Sequence, residues 1–258
     1  MSGLTALCAV AVILLAAAVF THGRPALLLL AAALFTALVA LAVGINTEWA
    51  AALDTSVADW FDAHRGRRRD VEARGVFGYI GRPIHVLIPA VVCGTLLSWR
   101  ARSGIPALCV TGAVAVGVVV EGAFKAIVGR TATTAPLVDY IHSYPSGHVT
   151  GTAALLGMIA VCLGVGHGRA AKAALAVAVT TGVAFVAVLA LYTGAHTCTD
   201  VIGGMFLGAA IVALGTAVLV GRVSDPGMPA GLRSGEPGRG RTSRRTSPAG
   251  PGPANPTP

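Results

Sequence analysis

The sequence predicts an all-α integral membrane protein that crosses the bilayer about seven times. Three observations carry this. Of its 258 residues, 55% are hydrophobic and only 12% charged, and the mean hydropathy of +0.75 is too high for one water-soluble domain. Seven apolar runs approach the roughly 20 residues that a helix needs to span a hydrocarbon core about 30 Å thick. Finally, six of the seven contain no Asp, Glu, Lys or Arg, and in lipid a chain must pair its backbone groups within its own segment, which makes such runs helices.

The predicted spans are 3–21, 26–44, 83–99, 106–128, 147–166, 173–193 and 201–221. Met1 to Val10 has no Lys or Arg and no small-residue cleavage site follows, so the first run reads as a span and not as a secretory leader. Residues 1–25 form an extra N-terminal span ahead of a membrane domain over 26–221. Between the second and third spans, Leu53, Val57, Trp60 and Phe61 recur at helical spacing with Asp54, Asp59 and Asp62 between them. This predicts an amphipathic helix on the membrane surface within 45–82, followed by a basic patch at Arg67, Arg68 and Arg69. Trp49, Trp60 and Trp99 all fall at predicted boundaries, as an interfacial aromatic belt requires. The fourth span is the exception, with Glu121 and Lys125 inside it. Residues 222–258 hold eight of the 14 prolines with Gly, Ser and Arg, a composition that predicts a disordered tail.

The net charge of +8 points to topology before it points to nucleic acid, because the 37 residues of the tail hold six of the 19 basic residues. Alternating the spans puts 22–25, 99–105, 166–172 and the tail on one side, with 45–82, 129–146 and 194–199 on the other. Arg24, Arg100, Arg102, Arg169, Lys172 and the tail arginines make the first side cytoplasmic, although the six arginines of 45–82 pull the other way. The expected location is the cell membrane, with the 129–146 side extracytoplasmic. Five cysteines without a C-x-x-C pattern predict neither a disulfide framework nor a zinc site. No metal or cofactor is expected.

Polar residues that packing explains least well gather at the ends of spans four to seven, on that outer side. Lys125 ends the fourth span. Pro145-Ser146-Gly147-His148 opens the fifth: Pro suits a first turn, Ser caps, and Gly permits close approach, so free N–H groups and the helix dipole would face an anion such as phosphate. The same residues also suit an ordinary helix start. His196 and Asp200 form an H-x-x-x-D pair, in which the carboxylate fixes the imidazole tautomer; alternatively Asp200 is a simple helix cap. Glu121 and Lys125 lie four residues apart on one face and can neutralise each other, and an ionisable residue in a membrane span suggests a functional site. Arg130, Thr131, Thr133, Thr134, His142 and Cys198 read as loop residues first.

These pieces in this order resemble the type 2 phosphatidic acid phosphatase family, the integral-membrane branch of the acid phosphatase and vanadium-dependent haloperoxidase superfamily. The family pattern is K-x6-R-P, P-S-G-H and S-R-x5-H-x3-D. Lys125 matches the first lysine, Pro145 to His148 the whole second part, and His196 with Asp200 the end of the third. The phrases from Tyr192 to His196 and from Asp200 to Gly204, and the segment from Leu53 to Arg65, are similar as well, so the likeness runs over roughly 50–221.

The resemblance implies a six-helix lipid-phosphatase-type core and hydrolysis of a lipid phosphate or polyprenyl diphosphate through a phosphohistidine. His196 is then the nucleophile, Asp200 orients it, and His148 protonates the leaving group. Lys125, Ser146 and Gly147 hold phosphate oxygens. Both family arginines are absent: Ala132 and Ala190 stand in their places, followed by Thr133 and preceded by Leu189. Arg130, two residues before the first position, is a candidate substitute in substrate binding. The loss of two cations leaves a second reading open, a weak or inactive relative that binds lipid phosphates or a partner protein. A transporter is disfavoured because no paired halves or broken spans are visible. The expected partners are a lipid phosphate and the bilayer, with no nucleic acid; oligomeric state is not readable.

Overall fold

A computed structural model describes residues 2–80, 83–131 and 142–223. The chain divides into Met1–Asp225 and Pro226–Pro258; the expected tail lies outside the described residues, apart from the last turn of the final helix.

The membrane unit is built from helices α1 (Ser2–Phe20), α2 (Arg24–Gly44), α3 (Glu48–His64), α4 (Arg67–Ile80), α5 (Pro83–Ala101), α6 (Ile105–Val128), α7 (Gly147–Gly164), α8 (Arg169–Tyr192) and α9 (Cys198–Val223). Seven of these, all but α3 and α4, are long and apolar enough to cross a membrane, and they coincide with the seven predicted spans to within a few residues. The protein is a multi-pass membrane protein. Its many exposed Val, Leu, Ile and Phe side chains are the lipid-facing surface of such a bundle.

Burial separates the helices by role. Half of the apolar window of α7 and of α9 is buried, against none of α1. α1 packs on α2, α2 on α9, and α9 also meets α3, α6, α7 and α8, so α9 is the central post. Small residues bring α7 and α9 together. A Cβ on Gly208 would lie 2.5 Å from Ala153 Cβ and 3.1 Å from Thr150 O, and one on Gly204 would lie 2.6 Å from Ser146 O. Without a hydrophobic drive between helices in lipid, this backbone proximity is what holds them. Gly208→Val should therefore lower the melting temperature of the purified protein by several degrees, as overpacking by about 1–3 kcal/mol implies. Gly112→Ala, where a Cβ meets nothing within 4 Å, should leave it unchanged; equal melting of the two variants would rule out the seam.

The 45–82 segment departs from its expected form. It contains two helices, not one helix and a patch, and the first does not turn its acidic face wholly to water. Ala50 and Asp54 of α3 are buried, and Asp54, expected on the polar face, is the one carboxylate there turned into the protein. The Arg67-Arg68-Arg69 run opens α4, in which Arg68 pairs with Glu72 and Arg74 with Asp70. α3 and α4 both pack on α8 and α3 on α9. Contacts of Asp54 with Thr199 and Arg130 bring the three connections expected on one side to the same end of the bundle.

Candidate active site

At that end the C-termini of α6 and α8 meet the N-termini of α7 and α9, with α3 and α4 across them. α6 ends because Gly129 adopts the left-handed conformation, φ 62°, and its N–H bonds back to Lys125 O at 3.1 Å. Arg130 thereby turns back across the bundle end. Its carbonyl accepts Ser143 N–H at 2.9 Å, and Thr131 bridges His142. Ala132, Thr133 and Thr134 lie outside the described residues.

The start of α7 differs from expectation in one detail. Pro145 precedes the cap instead of occupying the first turn, and Ser146 is the N-cap residue but makes no side-chain capping bond. Its Oγ is buried and unpartnered among the described residues, as are Ser143 Oγ, His142 Nδ1, His148 Nε2 and His196 Nδ1. Buried polar atoms without a hydrogen bond are costly unless a ligand or solvent meets them. Tyr144 beside them is fully buried, and burial, with the Asp200 charge, pushes its hydroxyl well above the usual range. It stays protonated and donates to Leu38 O at 2.8 Å.

His148 and His196 face each other with ring centroids 6.1 Å apart and planes at 63°. Phe77 of α4 stacks flat on His148, 3.9 Å and 11°, and meets His196 edge-on. His196 Nδ1 points at Asp200 Oδ2, 3.6 Å away. Asp200 was alternatively expected as the cap of α9, but the cap residue is Thr197 and Asp200 is its reciprocal partner one turn in. Its Oδ2 accepts Thr197 N–H at 3.1 Å while its own N–H reaches Thr197 Oγ1 at 3.4 Å, a reciprocal capping box at the start of α9. The same carboxyl group turns one oxygen toward the imidazole.

Arg130, expected as a substrate-binding residue, is bound by protein carboxylates. Nη2 donates to Asp54 Oδ2 at 2.7 Å, and Nη1 to Asp200 Oδ1 at 3.0 Å, Thr199 Oγ1 at 2.6 Å and Thr197 Oγ1 at 3.0 Å. Asp54 completes the knot by accepting from Thr199 N and Oγ1, each at 2.8 Å. Lys125 Nζ lies 2.5 Å from Glu121 Oε1, so the pairing expected from their spacing forms. Cys198 is half-buried at the first turn of α9.

Sequence reasoning missed two residues. Asp54 was legible only as part of an acidic face, although an Asp within the segment resembling the family was a usable signal. Phe77 had no signal at all. The second missing arginine also acquires a physical context: Ala190 is fully buried in an apolar cluster with Phe77, Val149, Val186, Ala187 and Val201. An arginine there would have to enter that apolar cluster. Among the described residues no three His, Cys, Asp or Glu side chains gather to hold a metal ion.

Comparison with known proteins places this architecture. Residues 106–223, just under half of the chain, match the model of the PAP2 superfamily. No curated protein matches the chain. Among solved structures, the transmembrane PAP2-type phosphatidylglycerolphosphate phosphatase from Bacillus subtilis is similar with a TM-score of 0.66 and 21% identity, over 77% of this chain and 98% of that one. At that identity the likeness is one of fold.

Proposed function

We propose that the protein is a membrane phosphatase that hydrolyses a lipid phosphate or polyprenyl diphosphate. The observation that carries this is the opposition of His148 and His196, with Ser146 Oγ and His148 Nε2 buried and unpartnered among the described residues. With Nδ1 of His196 turned to Asp200, its Nε2 is the nitrogen available to attack phosphorus. A P–N bond forms as the P–O bond to the lipid breaks, and protonated His148 gives its proton to the departing oxygen. Neutral His148 then takes a proton from water, whose oxygen attacks phosphorus and breaks the P–N bond, releasing phosphate. Lys125, Ser146 and the Gly147 N–H stabilise the charge on the transferring group. Arg130 acts as a positioning residue: it holds Asp200, which holds His196.

A specific observation also favours the second reading, binding without turnover. The place of one family arginine is packed with apolar side chains, so the transition-state charge has fewer cations to meet it. Phosphate release by the purified protein from phosphatidic acid, phosphatidylglycerol phosphate and polyprenyl diphosphates decides between them, with His196→Ala as the comparison. Release by wild type alone supports the phosphatase. Equal release by both removes it.

The site is expected on the extracytoplasmic face, by the distribution of basic residues in the connections. A cysteine introduced at Thr133 in a background without native cysteines should react in intact cells with a reagent that cannot cross the membrane. Reaction only after lysis would reverse the orientation.

A further inference from the structure

The reaction just proposed has no use for Glu121, yet its carboxyl group lies against the start of α7. It rests against Gly147, so closely that a Cβ on that glycine would overlap it, and its Oε1 pairs with Lys125 Nζ at 2.5 Å, both side chains being 15% exposed. Gly147 is the first residue of α7, where backbone N–H groups lack intrahelical partners and the helix dipole attracts negative charge. The anion at this helix start is therefore the protein's own. Two further groups point to a ligand at the same place: Ser146 Oγ on the N-cap, in a residue with no exposed surface, and His148 Nε2 one residue beyond Gly147, both unpartnered among the described residues.

The charges nearby sharpen this. Among the described residues, Lys125 and Arg130 are cations of the site and Glu121, Asp54 and Asp200 are carboxylates. Arg130 is held by Asp54 and Asp200, and Lys125 is paired with Glu121, the residue that lies against Gly147. A phosphate arriving at Gly147 meets a like charge in a poorly screened setting, where repulsion is large.

We propose that Glu121 is an affinity-determining residue: its carboxylate occupies part of the phosphate position against Gly147 and competes with the ligand for Lys125 and the α7 N-terminus. The proposal rests on the phosphate-binding reading above, not on turnover. Phosphate enters as the Glu121 side chain rotates away, and the Glu121–Lys125 pair reforms when phosphate leaves. The pocket is thus set for weak retention of its product as well as weak capture of its ligand.

The test is calorimetric titration of inorganic phosphate into the full-length protein in detergent, comparing wild type, Glu121→Gln and Glu121→Gln with Lys125→Met. Glu121→Gln keeps the size and removes the charge. It should bind phosphate about tenfold more tightly, and the added Lys125→Met should return affinity to the wild-type level or below. Glu121→Ala should shift affinity in the same direction, and thermal melting confirms that each variant is folded. Equal or weaker binding by both Glu121 variants overturns the proposal, and so does absence of binding by all of them. Tighter binding in a protein that releases no phosphate from any lipid keeps the proposal and removes the phosphatase reading. Unchanged binding in an active phosphatase does the reverse.

Discussion

Replacing His196 by Ala should lower phosphate release from the preferred lipid by about 10⁴-fold or more, the scale seen when a covalent nucleophile is removed. Melting should change little, because among the described residues the imidazole is tied to the fold by its 3.6 Å approach to Asp200 and edge-on ring contacts. His148→Ala should cost less, about 10²–10⁴-fold, the usual share of a general acid and base. The two differ in a second way. An aryl phosphate leaves without a proton, so its cleavage loses only the water-activating half of the His148 contribution, whereas an alkyl lipid phosphate loses both halves. His148→Ala should therefore hit the lipid harder than the aryl ester, and His196→Ala should hit both alike. Identical losses on the two substrates for both variants would contradict the assigned roles.

Arg130→Ala should be the most damaging single change to stability. It leaves two carboxylates without their cation, and both are buried: the Asp54 side chain is 8% exposed and that of Asp200 0%. Breaking a buried pair from one side costs about 3–5 kcal/mol, which translates to a melting point lower by roughly 10 °C for a domain of this size. Arg130→Lys should recover only part of this, since a single ammonium cannot reach both carboxylates with the geometry of a guanidinium fork. Adding Asp54→Asn to Arg130→Ala should cost much less than the two changes measured separately, the signature of direct coupling. Arg130→Ala melting within a degree of wild type would show that the network does not hold the bundle end.

The seven spans were legible because lipid imposes one requirement, about 20 apolar residues per crossing, that can be read along the chain without knowing any partner. The convergence of Lys125, His148, His196 and Asp200 followed from counting crossings. What stayed hidden depends on contacts between distant segments. Asp54 looks like Asp59 and Asp62 in sequence; only the closing of α3 on α9, 145 residues further on, separates them. Phe77 follows a polar, arginine-rich stretch, and nothing local says that it will lie flat on His148. Arg130 is a related case. Its nearness to the missing arginine suggested phosphate, while the acceptors it uses lie 70 and 76 residues away. Glu121 and Lys125 were the opposite case: i,i+4 spacing on one helix fixes their meeting regardless of the rest of the fold.

The capping box at the start of α9 places two neighbouring residues under different kinds of selection. Asp200 ties off the central helix of the bundle and anchors Arg130, so a lineage that abandoned catalysis would still be obliged to keep it. His196 carries no such duty. Descendants of an inactive ancestor should then lose the histidine and retain the aspartate, while chains with the histidine and no aspartate should not survive. The expected order of decay follows from the way Asp200 serves the fold as well as the proposed chemistry.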